Sequence, residues 1–195
     1  VVNKTELAAP LGMSVPGIGK WLDVLHTTQQ ILVVPPYFEN LGKRLVKSPK
    51  IYLADSGLAC HLLGVDGERE LARSPFAGAL FEGWVAAEIA KSQSNAGRRV
   101  ELYWFRDMRG LEVDFVVPRK GAVVELIEAK LTASPTPAMA RPMLEIARVL
   151  KSHGHPHVEA MIVHRKSIST PPTQTLAPGV RAMTDAQFFD RLAGQ

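Results

Sequence analysis

The sequence predicts a mixed α/β protein in two parts, residues 1–70 and residues 71–195. Two short helical patterns joined by a glycine turn come first, and two short β-prone runs follow them. A polar, glycine-containing stretch at residues 64–70 ends this part. The second part has the pattern helix, three closely spaced strands, helix, strand, which is typical of an α/β sandwich.

The composition indicates a soluble folded protein and excludes several classes of protein. Hydrophobic residues make up 46% of the 195 residues, yet the longest aliphatic run, Ile31 to Val34, is far shorter than the ~20 residues of a membrane span. The single cysteine, Cys60, excludes an internal disulfide and fits a cytoplasmic protein. The chain begins at Val1 without a signal pattern, which suggests a piece of a longer protein. The net charge of +4 slightly favours polyanionic partners.

The elements of the first part form a winged helix-turn-helix pattern. Asn3 and Ser14 are placed to cap two short helices that a turn at Gly12 separates. On the second helix Ile18, Trp21, Leu22 and Leu25 form an apolar stripe. The β-prone runs Ile31–Val34 and Lys50–Leu53, with a basic segment between them, resemble a wing.

The second part opens with a helix at about residues 76–92, whose apolar stripe contains Phe81, Trp84, Val85 and Ile89. Strands are predicted at residues 100–105, 112–117 and 122–131, and the last two are close enough for an antiparallel hairpin. A helix at residues 138–152, strands at residues 159–164 and near Val180, and a final helix at residues 184–192 complete the order. Residues 167–178 are predicted to form an exposed loop.

A group of charged residues on the predicted hairpin points to chemistry. Glu128 and Lys130 lie two residues apart on one strand and therefore share a face, and the hairpin brings Asp114 beside them. Carboxylates placed together on a sheet commonly hold a hard divalent cation. The pattern therefore predicts a Mg²⁺ site, with Mn²⁺ as a substitute, for phosphodiester hydrolysis. An ordinary surface ion pair is the alternative interpretation.

This pattern, with an acid on the preceding helix, resembles the PD-(D/E)XK nuclease-like superfamily. Three further motifs resemble the C-terminal region of prokaryotic AAA+ ATPases, in which a winged helix and a nuclease-like domain follow the ATPase module. These motifs are SPKIYLADSGL at residues 48–58, GALFEGWVAAE at residues 78–88, and YWFR at residues 103–106 together with EVDF at residues 112–115. The resemblance is clear over residues 3–130 and weak beyond them. It implies an upstream AAA+ module of the same polypeptide as a partner.

The resemblance also implies roles for individual residues. Asp114, Glu128 and the Ala129 carbonyl would hold Mg²⁺, and Lys130 would assist the attacking water. Glu82 matches the acid of the first helix and would support a water or a second metal, with Glu88 as the second choice. The proline that gives the motif its name is replaced here by Val113.

The helix-turn-helix part has two interpretations. Lys20 of the second helix and Arg44 and Lys47 of the wing could contact DNA phosphates. The second helix is unusually apolar for a helix that reads a DNA groove, which favours packing against another protein surface and makes a sequence-specific transcription regulator the weaker alternative. The segment Gly17–Lys20 lacks the rest of a phosphate-binding loop, so ATP is expected only in the upstream module.

Two functions follow from these features. The first is a metal-dependent nuclease domain acting on DNA, and the second is a catalytically silent module that couples an upstream ATPase to DNA or to a protein partner.

Overall fold

The structure, a computed structural model, describes residues 1–37, 46–165 and 173–194. It confirms the predicted mixed α/β class. The helices of the described residues are α1 (Lys4–Ala8), α2 (Val15–Thr27), α3 (Ser56–Leu62), α4 (Glu68–Arg73), α5 (Ala77–Asn95), α6 (Arg141–Ser152) and α7 (Asp185–Ala193). The strands are β1 (Ile31–Val34), β2 (Lys50–Leu53), β3 (Tyr103–Arg106), β4 (Glu112–Arg119), β5 (Val123–Lys130), β6 (His157–His164), β7 (Gln174–Ala177) and β8 (Val180–Thr184).

The first part contains α1, α2 and an antiparallel pair of strands, β1 and β2, in which Ile31 lies opposite Leu53. Helix α2 begins after Ser14, whose hydroxyl accepts from the backbone N–H of Gly17. Of the predicted apolar stripe, Ile18 is buried but Trp21 is 57% exposed. Helix α2 packs mainly against α1 and β1, so one side of it is covered and the side with Trp21 is not.

The second part is built on a six-stranded sheet in the order β3-β4-β5-β6-β8-β7. Strands β3, β4 and β5 are antiparallel neighbours, whereas β5, β6 and β8 run parallel to one another. The parallel step from β5 to β6 requires a crossover, and a short 3-10 helix (Pro137–Ala140) and α6 supply it.

Helices cover both faces of the sheet. Helices α5 and α7 pack on one face, where Val85, Ile89 and Phe188 meet Phe115 and Ile127. Helix α6 packs on the other face through Met143, Ile146 and Leu150, which meet Val116 and Leu126. These side chains are almost completely removed from water, which is the main favourable contribution to folding.

Several boundaries in the second part differ from the sequence-based prediction, among them the start of β3, which is Tyr103 instead of residue 100, and two differences concern strands that pair with a distant neighbour. The segment predicted as a loop at residues 167–178 contains the edge strand β7, which pairs with β8 across a turn at Gly179. Strand β6 begins at His157 instead of residue 159. Both differences come from pairing with a neighbouring strand, which local composition does not reveal.

The first part joins the sheet along its β3 edge. Tyr37 donates its backbone N–H to the carbonyl of Trp104 (2.7 Å), and Trp104 donates to the carbonyl of Pro35 (3.1 Å). Val46 donates to the carbonyl of Arg106 (3.1 Å). This cover satisfies backbone groups that an edge strand would otherwise leave unpaired, and it brings β2 close to β4 and α5.

Candidate functional site

The site lies at a β-bulge in strand β4. Tyr103 pairs with Val116 and Phe105 with Val113, so two residues of β4, Asp114 and Phe115, lie opposite the single residue Trp104. A bulge of this kind redirects side chains, and such bulges are frequent next to functional sites. Along β4, regular pairing with β5 begins at Phe115, the residue that follows Asp114.

On the Asp114 side of Phe115, hydrogen bonds from side chains take the place of the backbone hydrogen bonds that regular pairing of β4 and β5 would supply. The carboxylate of Glu128 accepts from the backbone N–H of Asp114 (3.1 Å), and the carboxylate of Asp114 accepts from the N–H of Ala129 (3.1 Å). Lys130 places its Nζ 2.6 Å from the other oxygen of Glu128. The structure thus brings Asp114, Glu128 and Lys130 together, and Ala129 joins them through its N–H.

A lysine from the first part lies against these acids. Lys50, the first residue of β2, is only 7% exposed. Its Nζ lies 2.8 Å from Glu82, 2.9 Å from Glu112 and 3.0 Å from Asp114. The ring of Trp104 lies beneath the ammonium, with 5.2 Å between Nζ and the ring centroid.

Helix α5 contributes Glu82 to this cluster. The hydroxyl of Tyr52, on β2, donates to the Oε1 atom of Glu82 (2.5 Å), the same oxygen that meets Lys50. Gly83 makes the close approach of β2 possible, because a Cβ there would lie 3.3 Å from the Tyr52 ring. Glu88, the second choice for the helix acid, pairs instead with Lys91 (2.9 Å). We name Lys50, Tyr52, Glu82, Glu112 and Asp114 the acid–lysine cluster.

Two of the three cations predicted to contact nucleic acid, Lys20 and Lys47, lie outside this cluster. Lys20 is exposed on α2, and Lys47 is exposed three residues before Lys50. Arg44 lies outside the described residues.

Burial and charge shift the ionisation of the cluster in opposite directions. Burial, together with the charges of Glu128 and Glu82, raises the pKa of Asp114 to about 7, although Lys50 opposes the shift. Burial also disfavours ionised Glu82, but the charge and hydrogen bond of Lys50 outweigh it and lower the Glu82 pKa. Burial likewise works against charged Lys50, and Asp114 and Glu82 nevertheless raise the Lys50 pKa. Lys50 is therefore a permanent cation at neutral pH.

The carboxylates predicted to hold a divalent cation are engaged by protein donors. Carboxylates are the ligands that Mg²⁺ and Mn²⁺ prefer, but both oxygens of Asp114 and of Glu128 already meet protein donors. Within residues 1–37, 46–165 and 173–194, no three His, Cys, Asp or Glu side chains are arranged to hold a metal ion.

A groove of about 600 Å³ opens beside the cluster. Lys50, Tyr52, Glu82 and Glu112 form its polar side, and apolar residues that include Leu63 and Phe76 form the other. Phe76 is 51% exposed, so the groove offers apolar surface next to a charged wall.

Sequence reasoning missed Lys50, Tyr52 and Glu112 as members of the site. It treated Lys50 as one of several basic wing residues. The signal was the period of two in β2, which places Lys50 and Tyr52 on the same face of a strand. A lysine and a tyrosine hydroxyl on one face indicate an acidic partner, but only the tertiary structure shows which acids it meets.

Two family profiles match the chain. One, described as "Domain of unknown function (DUF8612)", matches residues 1–69, and the other, "Domain of unknown function (DUF4143)", matches residues 77–175, just over half of the 195 residues. The chain belongs to the DUF4143 family. Domains of this family are found in AAA-ATPase-associated proteins. The match starts at the first residue of α5 and includes every acid of the acid–lysine cluster, whereas Lys50 and Tyr52 fall in the DUF8612 region.

Two curated relatives are the Uncharacterized protein Rv2008c of Mycobacterium tuberculosis and the Uncharacterized protein Mb2031c of Mycobacterium bovis. Each is 34% identical over 150 residues, which is 74% of this chain and 32% of the relative. The chain therefore spans about a third of the length of these relatives.

One solved structure is a half-complex from a tetradecameric assembly of Thermococcus gammatolerans McrB AAA+ hexamers with bound McrC. Its TM-score is 0.40 at 10% identity, and the match covers 88% of this chain and 64% of the other. Among the described residues of this chain, no helix has the length and apolar character needed to cross a membrane.

Proposed function

We propose that this chain is a silent binding module of an AAA+ ATPase-associated protein, in which a winged helix is joined to a nuclease-like sheet domain. It would couple an upstream ATPase module of the same polypeptide, the only site of ATP binding, to DNA or to a protein partner in the cytoplasm. Membership of DUF4143 and the motifs at residues 48–58 and 78–88 support the association.

The observation that favours a silent module over a nuclease is the state of Asp114 and Glu128. A nuclease of this type needs their oxygens free for a cation, whereas here Lys50, Lys130 and two backbone N–H groups take up both carboxylates. These contacts compensate the cost of burying charge without any metal.

The exposed surface of the first part supports a role in binding. Trp21 and Val24 are 57% and 53% exposed on α2, which suits packing against a protein surface. Exposed Lys20 and Lys47 would allow phosphate contacts that do not depend on base sequence.

A metal-dependent nuclease is the second candidate. The convergence of Asp114, Glu128 and Lys130 at the bulge, with Glu82 nearby on α5, favours it, because these residue types occur in the order and spacing of the superfamily.

A cutting assay separates the two candidates. The chain is incubated with supercoiled plasmid and with labelled single- and double-stranded oligonucleotides in Mg²⁺, Mn²⁺ or EDTA, beside Asp114→Ala and Lys130→Ala. We expect no cutting that depends on the cation and on both residues. Cation-dependent cutting that both substitutions abolish would establish the nuclease and overturn the silent module. Retention of labelled DNA without cutting would identify DNA as a partner.

A further inference from the structure

Lys50 reaches the acids from a distant part of the chain. It precedes Glu82 by 32 residues and Asp114 by 64 residues, and it lies on the two-stranded sheet of the first part. The acids it meets lie on the helix and strand of the second part. The contact therefore joins the two parts of the molecule.

We infer that Lys50 is the cation that the acid–lysine cluster binds in place of a metal ion. Its ammonium holds the first part against the sheet and prevents divalent cations from binding among the acids. This inference deepens the proposed function, on which it rests for the metal-free state of the acids, and it assigns Lys50 a structural role whether or not the chain binds DNA.

The geometry of the ammonium supports the first half of the inference. A lysine ammonium carries three donors, and three carboxylates, those of Glu82, Glu112 and Asp114, approach Nζ within 3.0 Å. The face of Trp104 lies on a further side. Each of the three N–H donors of the ammonium therefore has a carboxylate partner, and Lys50 is the counter-ion of all three acids.

The same geometry excludes a metal ion. Mg²⁺ needs about six oxygens at roughly 2.0–2.1 Å in an octahedral arrangement. The ammonium nitrogen stands between the three oxygens that would have to move inward, and an ion cannot share this space with it. Docking of Lys50 and binding of a divalent cation among these acids therefore exclude each other.

The contacts around Lys50 show that its ion pairs help to hold the strand pair β1–β2 against the second part. Its strand β2 pairs with β1, and Tyr52, on the same strand, donates to Glu82. Just before β2, Val46 donates to the backbone of Arg106. Withdrawal of Lys50 would leave Glu82, Glu112 and Asp114 without the cation they share, and the repulsion among those that stay ionised would weaken the docking of the whole strand pair.

The experiment compares wild type with Lys50→Met and, as the matched control, Lys47→Met, which removes an exposed lysine three residues away. Mn²⁺ binding is measured from the loss of the free-ion electron paramagnetic resonance signal. Melting temperature is measured in Mg²⁺, Mn²⁺ and EDTA, and hydrogen exchange of β2 reports docking. A further variant, Lys50→Met with Glu112→Gln, removes one of the carboxylates.

We expect no Mn²⁺ binding at the cluster in wild type or Lys47→Met. In Lys50→Met, Mn²⁺ at ten times its dissociation constant should raise the melting temperature by roughly 3–6 °C, and exchange of β2 in EDTA should be faster than in wild type. The cation response should shrink when Glu112→Gln is added.

Two results would overturn the inference. One is Mn²⁺ stabilisation of wild type as large as that of Lys50→Met. The other is a Lys50→Met protein that Mn²⁺ does not stabilise if it is folded in EDTA, and does not restore to a folded state if it is unfolded in EDTA. The experiment contains no DNA, so it tests the cation at the cluster directly, whereas the binding of DNA that the proposed function allows is tested only by the assay with labelled DNA.

Discussion

The two ends of the β4–β5 hairpin carry charged networks of opposite character. Near the turn, Glu125 is 3% exposed and meets Arg119 (2.7 Å) and Arg191, which also lies 3.3 Å from Glu159. Arg181 lies 3.4 Å from Glu159 as well, so three arginines meet two acids there. At the other end, the three carboxylates of the acid–lysine cluster meet a single buried lysine.

This difference separates a structural network from a candidate site. Arg119, Glu125, Glu159 and Arg191 all belong to the second part and stabilise the domain that contains them. The acids of the cluster also belong to that domain, but the buried cation that all three share, Lys50, comes from the first part. A network that depends on a distant residue can be opened without dismantling the sheet, and the predictions below test this contrast.

The largest effect is expected for Lys50→Met. It removes the buried counter-ion that Glu82, Glu112 and Asp114 share, although Glu112 keeps Arg106 at 3.6 Å, and removal of one partner of a buried pair commonly costs about 3–5 kcal/mol. Urea denaturation measures the free energy of unfolding, with Lys47→Met as the control. A loss below about 1 kcal/mol would show that the acids do not need this lysine.

The second prediction concerns pH. The pKa of Asp114 is about 7 in the folded protein against 3.8 ordinarily, so the folded state holds the proton more tightly. The stability this group provides is complete below about pH 4 and is lost as the pH rises through about 7, by at most about 1.4 kcal/mol per pH unit. Asp114→Asn should remove this slope, and Lys47→Met should keep it. Urea denaturation at a series of pH values measures it, and an unchanged slope in Asp114→Asn would contradict the assignment.

A smaller effect is expected for Glu125→Gln. The change leaves Arg119 and Arg191 without a full charge partner, but Arg191 retains Glu159 and its side chain is 29% exposed to water. We expect a loss of roughly 2 kcal/mol, close to the value of a charged hydrogen bond, and no gain of Mn²⁺ binding. A loss larger than that of Lys50→Met, in the same denaturation series, would remove the contrast between the two ends.

The smallest effect is expected for Tyr52→Phe. It removes the hydroxyl that donates to Glu82 and keeps the ring that packs against Gly83. The expected loss is about 1.5 kcal/mol, with Lys50 still in place. Urea denaturation measures the loss in the free energy of unfolding. Mn²⁺ binding by this variant would mean that Tyr52, not Lys50, keeps divalent cations out of the cluster.

Local patterns in the sequence predicted the elements that bring the acids together. Asp114, Glu128 and Lys130 lie on two strands joined by a short turn, so their proximity follows from strand period and loop length. Glu82 and Glu88 could not be separated in this way. They lie six residues, or about 120°, apart around a helix that is covered on several sides, and only the packing of β2 shows which acid meets Lys50.

Other features depend on contacts between segments far apart in the chain. The bulge at Asp114 results from the register of β3 against β4, and strand β7 exists because β8 lies beside it. Of the stripe predicted on α2, Ile18 is buried but Trp21 is exposed, because periodicity places residues around a helix and does not reveal which of them another element covers. The role of Lys50 could not be predicted for the same reason, since the acids that it meets lie 32 or more residues away in the sequence.

The most direct test of the central claim, that Lys50 is the counter-ion of the second part's acids, is a double-mutant cycle of Lys50→Met and Glu82→Gln. Unfolding free energies are measured for wild type, both single variants and the double variant. We predict a coupling energy of about 1–3 kcal/mol, because Glu82→Gln should relieve part of the damage that Lys50→Met causes. Additive losses, within about 0.5 kcal/mol, would contradict the claim.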